Sequence, residues 1–141
     1  MLLLMKDNMK YDDPYLEAMR YIDNAKSQLK QSGKEGYFYS DDKYVKTACG
    51  TAYSGALKAL DFFFDIRKVE KQRGRKSIEY YRTILGKMDN KLLKHLNTAY
   101  NVLHLDGYYE GITDIKVIDA GFENAIAIVN ILKPYSKNGV K

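Results

Sequence analysis

The chain has very little of what builds covalent or metal-bound frameworks. Its one cysteine, Cys49, has no second thiol within the chain to pair with, which suits a reducing compartment. One Cys and two His fall short of any zinc-ligand pattern. There is no Trp, and two Pro with ten Gly are too few for a long disordered or collagen-like stretch. No apolar run approaches the roughly 20 residues that a membrane helix needs. The opening run Met1–Met5 is shorter than a secretory apolar core, and no basic region precedes it. Glycine-rich phosphate loops, nucleophile–base pairs and paired carboxylates of clear role are also missing. No helix supplies a Glu-x-x-His, which excludes a carboxylate di-iron bundle. The expectation is a cytoplasmic protein without membrane span, metal or cofactor.

What is present is an ordinary globular mixture, 45% apolar and 29% charged over 141 residues. That length fits one domain spanning 1–141 and is enough to bury a core. Residues 1–11 read as an N-terminal extension and 135–141 as a loose tail. The one unusual total is thirteen Tyr. The net charge of +5 is concentrated: residues 67–76 (RKVEKQRGRK) hold six basic residues and one acid, and the rest balances 17 basic against 17 acidic residues.

The apolar spacing predicts four amphipathic helices and no strand of useful length. Asp13 caps the first, with Pro14 at its first position, and Gly33 ends it. Tyr15, Ala18, Met19, Ile22, Ala25 and Leu29 form its buried stripe. The second opens at Ser40 and runs to about Asp65, burying Tyr44, Val45, Ala48, Ala52, Tyr53, Ala56, Leu57, Leu60 and Phe64. Small residues crowd its middle and predict a close helix contact, because Gly50 and Gly55 each cost about 1 kcal/mol in a helix interior. The third runs from a Ser77 cap towards His104, kinked near Lys87, with Tyr108 and Tyr109 in the loop that follows. Thr113 caps the fourth and Pro134 stops it. Short connections favour an all-α, antiparallel up-down four-helix bundle.

Two segments carry chemistry. Arg67, Lys68, Lys71, Arg73, Arg75 and Lys76 make a basic connection able to neutralise phosphates, although no aromatic interleaves it in sequence. On the third helix, Lys91 and His95 lie four apart and share a face, with Asn90 beside them. A histidine there can act as general base, and a lysine can stabilise a phosphoryl oxyanion, the minimum for metal-free RNA cleavage. His104 lies near a helix end, where a protonated imidazole suits the dipole. Cys49, among apolar neighbours, reads as an inert core thiol. Loop tyrosines Tyr37, Tyr39, Tyr108 and Tyr109 offer a binding surface, and a cavity between helices would make it a small-molecule or nucleotide pocket.

The run Tyr37 to Leu60, YFYSDDKYVKTACGTAYSGALKAL, follows a helix that ends in a long polar turn. It resembles the opening helix pair of HEPN-like bundle proteins, in a stand-alone bacterial branch. The resemblance covers most of the chain and implies a homodimer. Many members of that superfamily are RNases with an arginine, a polar residue and a following histidine on the third helix; others are inactive partners of nucleotidyltransferases. His95 stands on the matching helix, but Asp89, Asn90 and Lys91 occupy the places where the arginine belongs, and Arg82 precedes His95 by thirteen residues. Neither an amide nor a lysine reproduces the two-pronged guanidinium grip on phosphate. The departure favours a non-enzymatic member acting by self-association or by binding RNA or a partner protein. The alternative is a toxin-like RNase using His95, Lys91 and Asn90, with the basic loop holding the RNA.

Overall fold

The computed structural model describes residues 13–136. Among them the chain is all-α apart from one small hairpin. Helix α1, Pro14–Gln31, starts as the sequence predicts: the Asp13 carboxylate accepts from the Leu16 amide at 3.1 Å. Its end is closed by Ser32, whose hydroxyl donates to the Leu29 carbonyl at 2.8 Å, and by Gly33 at φ 69°. The hairpin of β1, Lys34–Glu35, and β2, Phe38–Tyr39, comes next, with Lys34 opposite Tyr39 and Glu35 opposite Phe38. Two-residue strands are too short to leave a period-2 signal, so no strand is expected there from apolar spacing.

Helix α2, Asp42–Ile66, is the central rod. It is capped by Asp41, whose side chain accepts from the Lys43 amide at 3.0 Å, and not by Ser40, whose amide closes the hairpin onto Gly33. The expected close contact is present at Gly55, where a Cβ would stand 2.7 Å from Tyr21 Cβ and 3.4 Å from the Ala18 carbonyl. Residues 67–77 then connect to helix α3, Ile78–Met88, capped by Ser77.

The third predicted helix is divided further than one kink. It stops at Asp89, whose extended backbone (φ −161°, ψ 98°) breaks the rod while its side chain caps α4, Asn90–Ala99, through the Leu92 amide. A π-helix, Tyr100–Tyr109, continues directly. Tyr108 and Tyr109 are therefore helical and not in a loop, and His104 sits in mid-helix rather than at an end. Gly107 does not terminate the segment, because it lies against α2 where a Cβ would overlap Cys49 Sγ. Helix α5, Ile115–Val129, is capped by Asp114 and not by Thr113. The Thr113 carbonyl instead accepts from the Tyr39 amide at 2.9 Å. A 3₁₀ segment, Asn130–Tyr135, carries Pro134 inside it and past the predicted stop. Tyr135 and Ser136 thus belong to structure rather than to the tail; the rest of the tail and the N-terminal extension lie outside the described residues.

The core lies where α2 meets α1, α5 and the π-helix, and α4 packs on α5. Ile22, Leu60, Leu85, Leu96, Leu103, Ile118, Ile128 and Leu132 are fully buried within it. Of the buried stripes expected on the first two helices, Met19, Tyr44 and Leu57 are half-buried, while Ala59 and Phe63 prove to be buried. No helix among the described residues is long and apolar enough to cross a membrane.

Candidate functional site

Three places carry polar or aromatic chemistry. In the first, α4 brings His95 against Asn124 of α5, with His95 Nδ1 2.8 Å from Asn124 Oδ1. The Asn124 amide nitrogen donates to the Ala120 carbonyl at 2.8 Å, which fixes Oδ1 towards the histidine. In the neutral ring, Nδ1 is then the nitrogen that carries the hydrogen, and the lone pair is on Nε2. A shallow pocket of about 350 Å³ joins His95 to Lys91, Asp89 and Asn130. Lys91 thus shares His95's pocket as predicted, but exposed Asn90 does not line it. Arg82 is engaged elsewhere: Nε donates to Asn97 at 2.9 Å, one terminal nitrogen pairs with Glu79 at 2.7 Å, and the guanidinium covers Tyr100 at 5.0 Å. Asn124 was missed by sequence reasoning, since it lies 29 residues from His95 on another helix.

The second place is the basic connection. Arg67, Lys68, Lys71, Arg73 and Arg75 are exposed. Arg67 lies over the Phe63 ring at 5.7 Å, and Lys71 faces Asp65 at 3.6 Å. Lys76 differs from the others: it is half-buried and paired with Asp61 at 3.0 Å, and Asp61 also accepts from the Tyr81 hydroxyl at 3.0 Å. Burial, then the Asp61 charge and hydrogen bond, push the Tyr81 hydroxyl well above its ordinary range.

The third place is a cleft of about 820 Å³ between α2, the π-helix and the start of α3. Tyr100, His104 and Tyr108 recur every four residues along the π-helix, and their rings lie on its cleft side. The His104 ring is 4.9 Å from Tyr53 (29° between planes), 5.3 Å from Tyr100, 6.1 Å from Tyr108 (8°) and 4.9 Å from Tyr109 (84°). Burial lowers the His104 pKa, so the ring is neutral near pH 7 and is not the helix-end cation the sequence suggested. Burial likewise pushes the Tyr53 hydroxyl up to about 12, with Tyr100 adding to the rise and Arg82 opposing it. Arg75 and Lys76, at the end of the basic connection, line the same cleft. Aromatic and basic residues that are separate in sequence therefore meet in space. Tyr37 and Tyr39 do not take part.

Cys49 lies under the π-helix, fully buried, its thiol pushed up to about 12 by burial alone. It is inert, as its neighbours implied.

The model of the family described as "Domain of unknown function (DUF5618)" matches residues 13–133. The chain belongs to the DUF5618 family. The match takes in all three places described above. A solved structure of a protein of unknown function from Dyadobacter fermentans is similar to this DUF5618 chain, with a TM-score of 0.79 and 40% identity over 88% of this chain and 97% of the other. No curated protein matches it significantly.

Proposed function

We propose that this DUF5618 chain is a HEPN-like bundle that works in the cytoplasm without catalysis, by association with a second copy of itself. In this reading α3, α4 and the π-helix act together as one bent third rod of an antiparallel up-down four-helix bundle. The observation that carries the proposal is an apolar end. Tyr37, Phe38 and Ile112 are 80%, 52% and 41% exposed. They are held together because Phe38 pairs with Asp114 and the Ile115 amide donates to the Tyr37 carbonyl at 3.0 Å. Large apolar side chains gathered at one exposed place mark association surfaces.

Sedimentation equilibrium of the wild-type chain beside Phe38→Ser/Ile112→Ser tests it. A wild-type dimer that becomes monomeric in the variant is the expected result. A wild-type monomer at high micromolar concentration overturns it.

A second reading is favoured by the His95–Asn124 contact alone. Asn124 engages Nδ1 of His95 and leaves Nε2 without a hydrogen bond among the described residues, the arrangement that a general base in a metal-free RNase requires, with Lys91 and Asn90 nearby in sequence and the basic loop holding RNA. RNA cleavage lost in His95→Ala supports it, and cleavage unchanged in that variant sinks it.

A further inference from the structure

The aromatic cleft has a wall of rings that neither self-association nor RNA cleavage at His95 uses. Its lining includes Arg75 and Lys76 and no carboxylate. Lys76 is balanced by Asp61 just outside, whereas Arg75 is exposed and has no ion-pair partner among the described residues. The local excess is one guanidinium, a group that grips flat anions with two parallel N–H donors. The opposite wall is rings. Tyr108 and Tyr109 are 46% and 62% exposed although each packs an edge or face on His104. Exposed ring faces in a concave site stack on flat ligands. The neutral His104 imidazole between them extends that surface without adding charge. Free hydroxyls border it: Ser54 has no hydrogen-bond partner among the described residues, and neither has the Tyr53 hydroxyl. The volume is in the range of small-molecule sites, which run from about 300 to 1,000 Å³. The wall itself is a π-helix, an uncommon geometry that occurs often at functional sites.

We propose that this cleft binds a planar aromatic compound carrying an anionic group, with the ring against Tyr108 and Tyr109 and the anion at Arg75. A nucleoside monophosphate and an aromatic carboxylate share this chemistry.

Isothermal titration calorimetry of the full chain separates the parts. The probes are adenosine monophosphate, 2-naphthoate, the uncharged 2-naphthalenemethanol and inorganic phosphate. At least one of the first two binds at one site per chain, and the last two bind at least about tenfold more weakly, since ring and anion each contribute. Binding of the monophosphate alone identifies phosphate-bearing ligands, and binding of the naphthoate alone identifies carboxylates. Arg75→Ala and Tyr109→Ala each weaken binding about tenfold, while Arg73→Ala, in the same connection but outside the cleft, leaves it unchanged. Both altered side chains are exposed, so the fold is retained; if Tyr109→Ala nonetheless unfolds, Arg75→Ala decides. Ligand addition also shifts the carbon-bound ring protons of His104 in NMR spectra. The proposal is overturned if neither anionic aromatic binds, if the uncharged ring binds equally well, or if Arg75→Ala binds like the wild type.

Discussion

The two histidines are set in contrasting ways. His95 is held by a hydrogen bond to one amide and lines a shallow pocket of mixed polar and apolar residues. His104 has no hydrogen bond among those described and is held by four tyrosine rings. The first is the residue that a motif search finds, because a histidine with a lysine four before it resembles an acid–base pair. The second is found only when α2 and the π-helix are brought together. Orientation by an amide fixes which nitrogen carries the proton; enclosure by rings fixes whether the ring is charged at all. A histidine's role thus follows from its neighbours in space more than from its neighbours in sequence.

The comparison can be broken most forcefully from beneath. Leu103 and Leu96, each fully buried and next in sequence to one histidine, should cost about 2–5 kcal/mol when changed to Ala. Urea denaturation measures this, and a loss below 1 kcal/mol at Leu103 would mean the π-helix is not packed as described. The histidines themselves come next. His104→Ala loses several ring contacts and should cost about 2 kcal/mol, whereas His95→Ala loses one hydrogen bond and should cost about 1 kcal/mol. The reverse order in the same denaturation experiment would contradict the contrast.

A third effect is pH-dependent. The His104 pKa in the fold lies below its ordinary 6.5, so on acidification the unfolded chain takes up that proton first. This contribution to stability is complete above about pH 6.5 and is lost as pH falls towards the lower folded value. An NMR titration of the His104 ring should show a midpoint below 6.5, and a midpoint at or above it would show that the tyrosines do not keep the ring neutral. The smallest effect belongs to a region outside both sites. Lys71 and Asp65 are exposed and 3.6 Å apart, and Lys71→Ala should change stability by less than about 0.5 kcal/mol.

Features that depend on adjacent residues were legible in the sequence. Asp13-Pro14 and Ser77 mark helix starts because cap and first turn are local. Where two capping residues adjoin, the sequence could not choose. Asp41 and Asp114 take the caps, while the hairpin bonds through Ser40's amide and Thr113's carbonyl. The π-helix was illegible for a related reason. Gly107 followed by two tyrosines reads as a stop and a loop, and only its seat on Cys49 shows why the helix runs on. Of the candidate residues, Lys91 and His95 were legible as a pair because helical spacing brings them together. The cleft was not, since Tyr53, Arg75 and His104 come from three separate segments.

The hairpin's pairing with the segment before α5 has a consequence for the order of assembly. Tyr39 reaches Asp119, eighty residues away, through its hydroxyl at 2.5 Å, and β2 bonds to Thr113. Contacts so distant along the chain close a large loop and come late in folding. On the ribosome, helices α1 and α2 can pair while the clasp between them stays open. It shuts only when α5 has emerged, so the first turn of the fold to be synthesised is among the last to be fixed.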